Sequence, residues 1–419
     1  MLKAIDPAIY DILTISRDGK EATLKGKTTS FDYYESLLSP NVTATMTFVD
    51  TGGSIIYDQK YDRQERVGSV YNALPITGGE KVSFKIDSSL GVINFENNPF
   101  FVNGAINPGQ ESQRETIVLS LFSKGAKLNQ ESTVYKKYQG NISTSVTTLI
   151  EQFLDTDKVS IEKTGNSFSF TGNSDSVFDV ICWLAAKSIA DKDSAGFFFY
   201  ETKEGFNFKS IDSLISQPPI TTYYKSGALR AGDNDNKILS SNITKNQNIL
   251  NALKTGVYHS RNIYFNPKTF KEEEVIYTFN DGKLKKSLGK SAEAPVVDNF
   301  TRTHYDIMDV GTLEKTVKGT DNNDPKNWQW QTTMRYNLLF SQVLNIQVPC
   351  NPQLKAGDTI NCDFEIISQD NIQEGSSDPV QSGKYLIVDL CHHYEPTRSI
   401  TSLTLARDSY GLYTNKNKS

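Results

Sequence analysis

The stretch "DLCHHYE", residues 389–395, gathers the side chains most able to do chemistry: Asp389, Cys391, His392, His393 and Glu395. Thiolate, imidazole and carboxylate are zinc ligands and the parts of a nucleophile–base pair, so the stretch raises a metal or catalytic site. It lies in the run "KYLIVDLCHHY", which reads as an extended strand. Side chains alternate along a strand. Leu386, Val388, Leu390, His392 and Tyr394 are therefore expected on one face, with Tyr385, Ile387, Asp389, Cys391 and His393 on the other. The two histidines then point apart. Cys391 and His393 share a face about 7 Å apart at Cα, yet zinc needs two more ligands and the sequence offers no spaced partner. The stretch reads as a strand.

No other residues make a better case. His259 and His304 stand alone, and the cysteines (Cys182, Cys350, Cys362, Cys391) are scattered without a CxxC pair. That usage suits reduced thiols in a protein made in the cytoplasm. No GxSxG elbow, P-loop, HExxH or dinucleotide fingerprint occurs. The acidic run in "FKEEEVIY" reads as a solvated face. "YKKYQG" (135–140) has too few lysines for a nucleic-acid site and reads as a linker strand. Trp328 and Trp330 are the one close tryptophan pair, too little for a sugar-binding cluster. No catalytic, cofactor-binding or metal residue is assigned, no cofactor is expected, and the chain is expected not to be an enzyme.

The composition sets further bounds. A net charge of -5 argues against nucleic-acid binding as the main task, while a mildly negative surface lets DNA pass without sticking. No apolar run approaches the roughly 20 residues of a membrane span, and the N-terminus has no apolar stretch of signal-peptide type. No membrane insertion is expected. With 419 residues the chain has room for two to four domains.

The elements that would carry such side chains are mainly strands. In "VTATMTF", Val42, Ala44, Met46 and Phe48 alternate with threonines. After the turn at Gly78 and Gly79, Val82, Phe84 and Ile86 alternate with Ser83, Lys85 and Asp87. "FFVNGAINPGQ" and "RETIVLSLFS" complete the set, with Asn107, Pro108 and Gly109 as expected punctuation. The pattern turns helical after Gly140. Val146, Leu149, Ile150, Phe153 and Leu154 predict a helix capped by Ser143 or Ser145, and Val177, Ile181, Leu184 and Ile189 predict a second. "GFFFYETKEGFNFKS" predicts a hairpin turning at Lys203–Gly205. "RNIYFN" and "EEVIYTF" are strand candidates, and "KGTDNNDPKN" is a loop. Trp330, Met334 and Leu338 then mark a helix. The strand residues Leu344, Ile346 and Val348, and Ile360, Cys362, Phe364 and Ile366, follow, with a closing hairpin that turns at "EPTRS".

The first and last thirds echo each other. Each has a strand, a turn into Gly-acid ("GGEKVSFKI" against "AGDTINCDF") and two closing strands. The expected fold class is α+β, mainly β: two similar antiparallel β-barrel domains with α+β domains inserted between. The expected divisions are 1–135, a first barrel; 136–236, an α+β middle domain; and 237–268, strands returning to the second barrel. An inserted β-rich domain (269–330), the second barrel (331–410) and a flexible tail (411–419) complete them.

"NQESTVYKKYQGNISTSVTTLIEQFL" (129–154) resembles the segment that leaves the first tube domain in baseplate hub proteins of contractile-tailed bacteriophages, where an extended strand precedes a turn and an apolar helix. "GNSDSVFDVICWLAAKSI" with "GFFFYETKEGFNFKSIDSLI" (172–215) resembles the part that follows. "MRYNLLFSQVLNIQVPCNPQLKAGDTINCDF" resembles the helix and strands of the second tube domain, with its Leu-x-x-Gly-Asp turn. The family is related to the hub part of type VI secretion spikes. The resemblance implies a homotrimer with two tube domains per chain. Such a trimer forms a pseudo-sixfold ring in the virion baseplate and adapts a hexameric tail tube or tube initiator to a trimeric central spike. Other baseplate proteins would surround it, and DNA would pass through the lumen without specific binding. No spike domain follows in the sequence, so the spike is expected to be a separate protein. The alternatives are the hub of a contractile injection or type VI-like system and a tail-associated cell-wall hydrolase.

Overall fold

The computed structural model describes residues 4–52, 55–58, 65–74, 76–111, 114–191, 195–225, 235–246, 248–278, 287–289, 299–309, 323–366 and 377–409. The strand pattern of the first third appears as expected. Thr43–Asp50 buries Ala44, Met46 and Phe48, and Lys81–Ser88 buries Val82, Phe84 and Ile86. With Ile9–Arg17, Thr28–Ser36, Phe100–Glu111 and Arg114–Phe122 these strands enclose one core. Its centre is aromatic: Phe31, Phe84, Phe95 and Phe100 touch at centroid distances of 4.8 to 5.1 Å. Asn107, Pro108 and Gly109 do not end their strand, which runs on to Glu111. An edge position tolerates proline, because its missing N–H deprives no neighbour.

Among the described residues, fourteen strands make one continuous sheet. Its order runs Ser240–Lys245, Gln342–Pro349, Ser399–Arg407, Gly383–Tyr394, Thr28–Ser36, Thr43–Asp50, Arg114–Phe122, Phe100–Glu111, Lys81–Ser88, Ile9–Arg17, Lys20–Thr23. Thr359–Phe364 and Thr222–Lys225 branch from Gly383–Tyr394, and Gly91–Asn94 branches from Lys81–Ser88. A second apolar core lies under the late strands, built from Leu344, Ile346, Ile360, Ile387, Leu403 and Leu405 among others. The chain is mostly antiparallel β with few helices.

A third core belongs to the middle of the chain. Helices Ile142–Phe153 and Val177–Lys187 cover a three-stranded sheet of Val159–Ile161, Gly205–Ser210 and Phe197–Thr202. All of Phe197–Thr202 is buried, because helices cover one side and the large sheet the other. Three details correct the expectations here. Asn141, not Ser143 or Ser145, caps the first helix; the Ser143 N–H instead donates to Thr164 Oγ1 at 3.0 Å. The stretch from 129, expected extended, begins inside a helix, Lys124–Glu131, whose Ala126 and Leu128 pack on this core. Thr222–Lys225, placed with the middle block, pairs in parallel with Thr359–Phe364 of the large sheet.

The stretches read as "RNIYFN" and "EEVIYTF" are the antiparallel strands His259–Asn266 and Lys271–Thr278, joined by Arg302–Ile307 in parallel. The late helix is Gln329–Leu339, with Met334 and Leu338 buried. Residues 318–322 of the expected loop lie outside the described residues, and its residues 325–327 form a short 3-10 turn. Ile366 lies past the end of its strand and is exposed. Among the described residues no helix is long and apolar enough to cross a membrane.

Candidate functional site at the junction of the repeated strands

The large sheet contains one arrangement twice. Thr28–Ser36, Thr43–Asp50, Arg114–Phe122, Phe100–Glu111 and Lys81–Ser88 are neighbours in that order, all antiparallel. Ser240–Lys245, Gln342–Pro349, Ser399–Arg407, Gly383–Tyr394 and Thr359–Phe364 repeat the order and the directions. The chain visits both sets in the same sequence. The copies agree in register as well. Val102 pairs with Leu121 and Gly104 with Ser120, which leaves Asn103 as an extra residue. Ile387 pairs with Leu405 and Asp389 with Thr404, which leaves Val388 as the extra residue at the corresponding place. Each is a β-bulge.

The Gly-acid turns also match atom for atom. The Gly79 N–H donates to the Val102 carbonyl at 2.7 Å, and the Val102 N–H donates to that of Glu80 at 2.9 Å. The Gly357 N–H donates to the Ile387 carbonyl at 2.9 Å, and the Ile387 N–H donates to that of Asp358 at 2.8 Å. Each acid then ties its own turn. Glu80 accepts the Thr77 N–H at 2.9 Å, and Asp358 accepts the Lys355 N–H at 3.0 Å. Glycine is required at 357: φ is +86°, and a Cβ would lie 2.3 Å from the Tyr200 hydroxyl.

The bulge at Val388 corrects the expected faces of "DLCHHYE". Leu386 and Val388 pack with Leu37, Tyr200 and Leu214. Leu390 instead joins Tyr385 and Ile387 over the late core, because the extra residue resets the alternation. His392 and His393 do point apart. His392 is fully buried, with Nδ1 2.8 Å from Thr401 Oγ1 and its ring stacked 6.2 Å from Tyr33. Burial, aided by the Lys203 charge, pushes its pKa down to about 3, so the imidazole is neutral. His393 lies between Asp32 and Glu395, with Nε2 2.9 Å from Glu395 Oε1. Burial lowers its pKa, but the hydrogen bonds of Glu395 and Asp32 outweigh that and hold it above the ordinary range.

Sequence reasoning passed over a second group of side chains, the buried carboxylates where three parts of the chain meet. Glu35 accepts the Tyr33 hydroxyl at 2.8 Å, the Lys203 N–H at 2.7 Å and the Ala356 N–H at 2.9 Å. Glu201 accepts the Val42 N–H at 3.0 Å and the Ser123 hydroxyl at 2.6 Å. Burial raises the pKa of Glu35, and it lifts Glu201 and Asp358 each to about 7. Raised carboxyl pKa values often mark catalysis. Here the oxygens are taken up by main-chain and hydroxyl donors that bind the first strands, the 197–210 hairpin and the 355–358 turn together. Glutamates in "DYYES" and "FFFYETKEG" are invisible as such a cluster, because the partners lie more than a hundred residues apart in sequence.

The remaining candidates are structural in their surroundings. The His304 ring lies on Trp330 at 3.6 Å, with its pKa lowered by burial and by Arg302. His259 meets Phe300 edge-on at 6.2 Å. Trp328 takes the Lys187 ammonium over its ring at 4.5 Å, so the tryptophan pair makes no shared open surface. The thiols of Cys350 and Cys362 are buried, that of Cys391 is half-buried and that of Cys182 exposed. An open groove of about 560 Å³ lies over the sheet where the copies join, lined by Ser36, Asn242, Asn345, Gln347, Ser402 and Thr404 among others. Glu35, Asp389 and Cys391 line it too; the Ser36 hydroxyl donates to Asp389 at 2.6 Å, burial holds the Cys391 thiol well above the ordinary thiol range, and among the described residues no lysine or arginine lines the groove.

No family model matches the chain, and no curated protein sequence matches it. By structure it is similar to the tail protein from Neisseria meningitidis MC58, with a TM-score of 0.55 and 11% identity, over 94% of this chain and 96% of that one. The chain has a tail-protein fold. It is likewise similar to the 43 kDa tail protein of prophage MuSo2 from Shewanella oneidensis, with a TM-score of 0.52 and 12% identity, over 94% and 98% of the two chains. The tail-protein fold thus extends over nearly the whole chain.

Proposed function

We propose that the chain is a structural, non-enzymatic hub of a contractile-tail baseplate. Three copies form a ring, and each gives two barrel-like tube domains, so six similar segments meet a sixfold tail tube on one side and a threefold spike on the other. The carrying observation is the strand arrangement present twice, with the same pairing order, bulge and Gly-acid turn. Duplication inside one chain resolves a symmetry mismatch without a strained interface. The tail-protein fold supports the reading.

The sheet's outer face supports a lumen through which DNA passes. Ser240, Gln347, Ser402, Cys391, Tyr34 and Thr43 are successive partners across it, and the row has no lysine or arginine to hold phosphates. Light scattering of the purified chain, alone and with its spike, tests the proposal together with axial negative-stain views. A trimeric mass and a six-lobed ring are expected. A stable monomer at high concentration, also with the spike present, would overturn it.

A further inference from the structure

Gly383–Tyr394 uses one of its edges twice. Residues 383–386 pair with Thr359–Phe364, and beyond the Val388 bulge residues 389–394 pair with Thr28–Ser36. The second pairing joins the two copies of the arrangement within the chain. Its counterpart strand, Phe100–Glu111, meets Lys81–Ser88 only at Phe100 and Phe101. Past the Asn103 bulge, that edge has no strand partner among the described residues. The other half of the junction is also present and unused. Thr28–Ser36 sits between Thr43–Asp50 and Gly383–Tyr394, whereas its counterpart, Ser240–Lys245, has Gln342–Pro349 on one edge and no strand on the other among the described residues. Among the described residues, one junction is made and both halves of a second are left open.

We propose that the open edge of Phe100–Glu111 in one copy pairs antiparallel with the open edge of Ser240–Lys245 in a second copy, with Ile106 opposite Lys245. The inference rests on the ring reading above and assigns the surfaces that close the ring. The two edges complement each other but not themselves, so the contact is head-to-tail and repeats from copy to copy. Their exposure agrees. Ile106 is 68% exposed, Leu239 42% and Ile243 39%, so both edges carry apolar side chains that pairing would take out of water.

The register follows from the finished junction. Matching the bulges places Ile106 where Cys391 stands. Ala44 and Leu344 correspond through their partners Leu121 and Leu405, so Thr43 matches Val343. Tyr34, the partner of Thr43, then matches Lys245, the partner of Val343. Cys391 pairs with Tyr34 inside the chain, which sets Ile106 against Lys245 between chains.

The test is oxidative cross-linking of full-length chain carrying Ile106→Cys and Lys245→Cys on a Cys182→Ser background, which removes the exposed thiol. Directly opposed Cβ atoms lie about 4.5–5.5 Å apart, close enough for a disulfide after small adjustment. A covalent ladder that ends at the trimer is expected from the double variant and none from either single one. A trimeric mass without interchain disulfide sinks the edge assignment and leaves the ring reading standing. A disulfide in a single variant shows like edges meeting and also sinks it, and a monomer sinks both. Unchanged circular dichroism and melting are the fold control. As a second measure, Ile106→Lys sets like charges together and should weaken assembly at least about tenfold at low salt, with Lys245→Glu restoring it. Undiminished assembly of Ile106→Lys overturns the pairing.

Discussion

Glu201 and His392 are both buried ionisable groups, and they set opposite pH dependences. The Glu201 pKa rises from 4.5 to about 7 on folding. Its contribution is fully present below pH 4.5 and is lost as pH rises through about 7, because the folded state binds the extra proton. The His392 pKa falls from 6.5 to about 3. Its contribution is present above pH 6.5 and is lost as pH falls toward 3. Denaturant midpoints at pH 5 and pH 8 should therefore show Glu201→Gln losing less stability with rising pH than the parent, by up to about 3 kcal/mol. His392→Gln should flatten the acid side between pH 6.5 and 4, at a cost of about 1–3 kcal/mol at neutral pH from the lost Thr401 contact. An unchanged slope in either variant would show that the group titrates normally. The opposed directions of His392 and His393 were legible in the sequence, because a strand's alternation is fixed by its covalent geometry. The bulge at Val388 was not, since an extra residue in one strand leaves no mark in a run of apolar side chains.

Strands and helices were legible where the amphipathic pattern is long. The faces match the alternation residue by residue over 43–48, 82–87 and 344–348, and the match lapses only at strand ends such as Gln342 and Pro349, both buried. Phe84→Asp and Phe364→Asp place an unpaired charge in one core each, and urea midpoints should record losses above about 4 kcal/mol. Lys85→Gln, which gives up the surface pair with Asp11, and Asp363→Asn, on the outer faces of the same strands, should each leave the urea midpoint close to the parent, because an exposed ion pair contributes little. Equal damage at both faces would contradict the assigned orientation. Elements that depend on remote partners were not legible. Lys124–Glu131 has little apolar content of its own and is held by the middle core and by Ser123, which accepts the Ala126 N–H while donating to Glu201. Thr222–Lys225 finds its place against Thr359–Phe364, well over a hundred residues on, and no local periodicity reports such a partner.

At the scale of the molecule, Glu35 ties the first strands to the middle hairpin and to the late Gly-Asp turn through the N–H groups of Lys203 and Ala356. Glu35→Ala strands both donors in a buried place and should cost about 3 kcal/mol or more, with earlier protease cleavage near the 197–210 hairpin. Glu35→Gln keeps one acceptor and should cost less. Equal protease resistance in parent and Ala variant would show that the junction does not depend on this residue. The sequence by itself determined the mainly-β class, the alternation of each long strand and the echo between "GGEKVSFKI" and "AGDTINCDF", because these follow from local side-chain periodicity and turn chemistry. Only the tertiary structure decided that both Gly-acid turns bond the same way, that the bulges correspond and that the copies share one sheet through Thr28–Ser36 and Gly383–Tyr394. The turns and bulges are registers between nearby strands, and the junction pairs strands hundreds of residues apart; both are set by shape and burial once the chain has closed on itself, and side-chain periodicity within one strand reports neither.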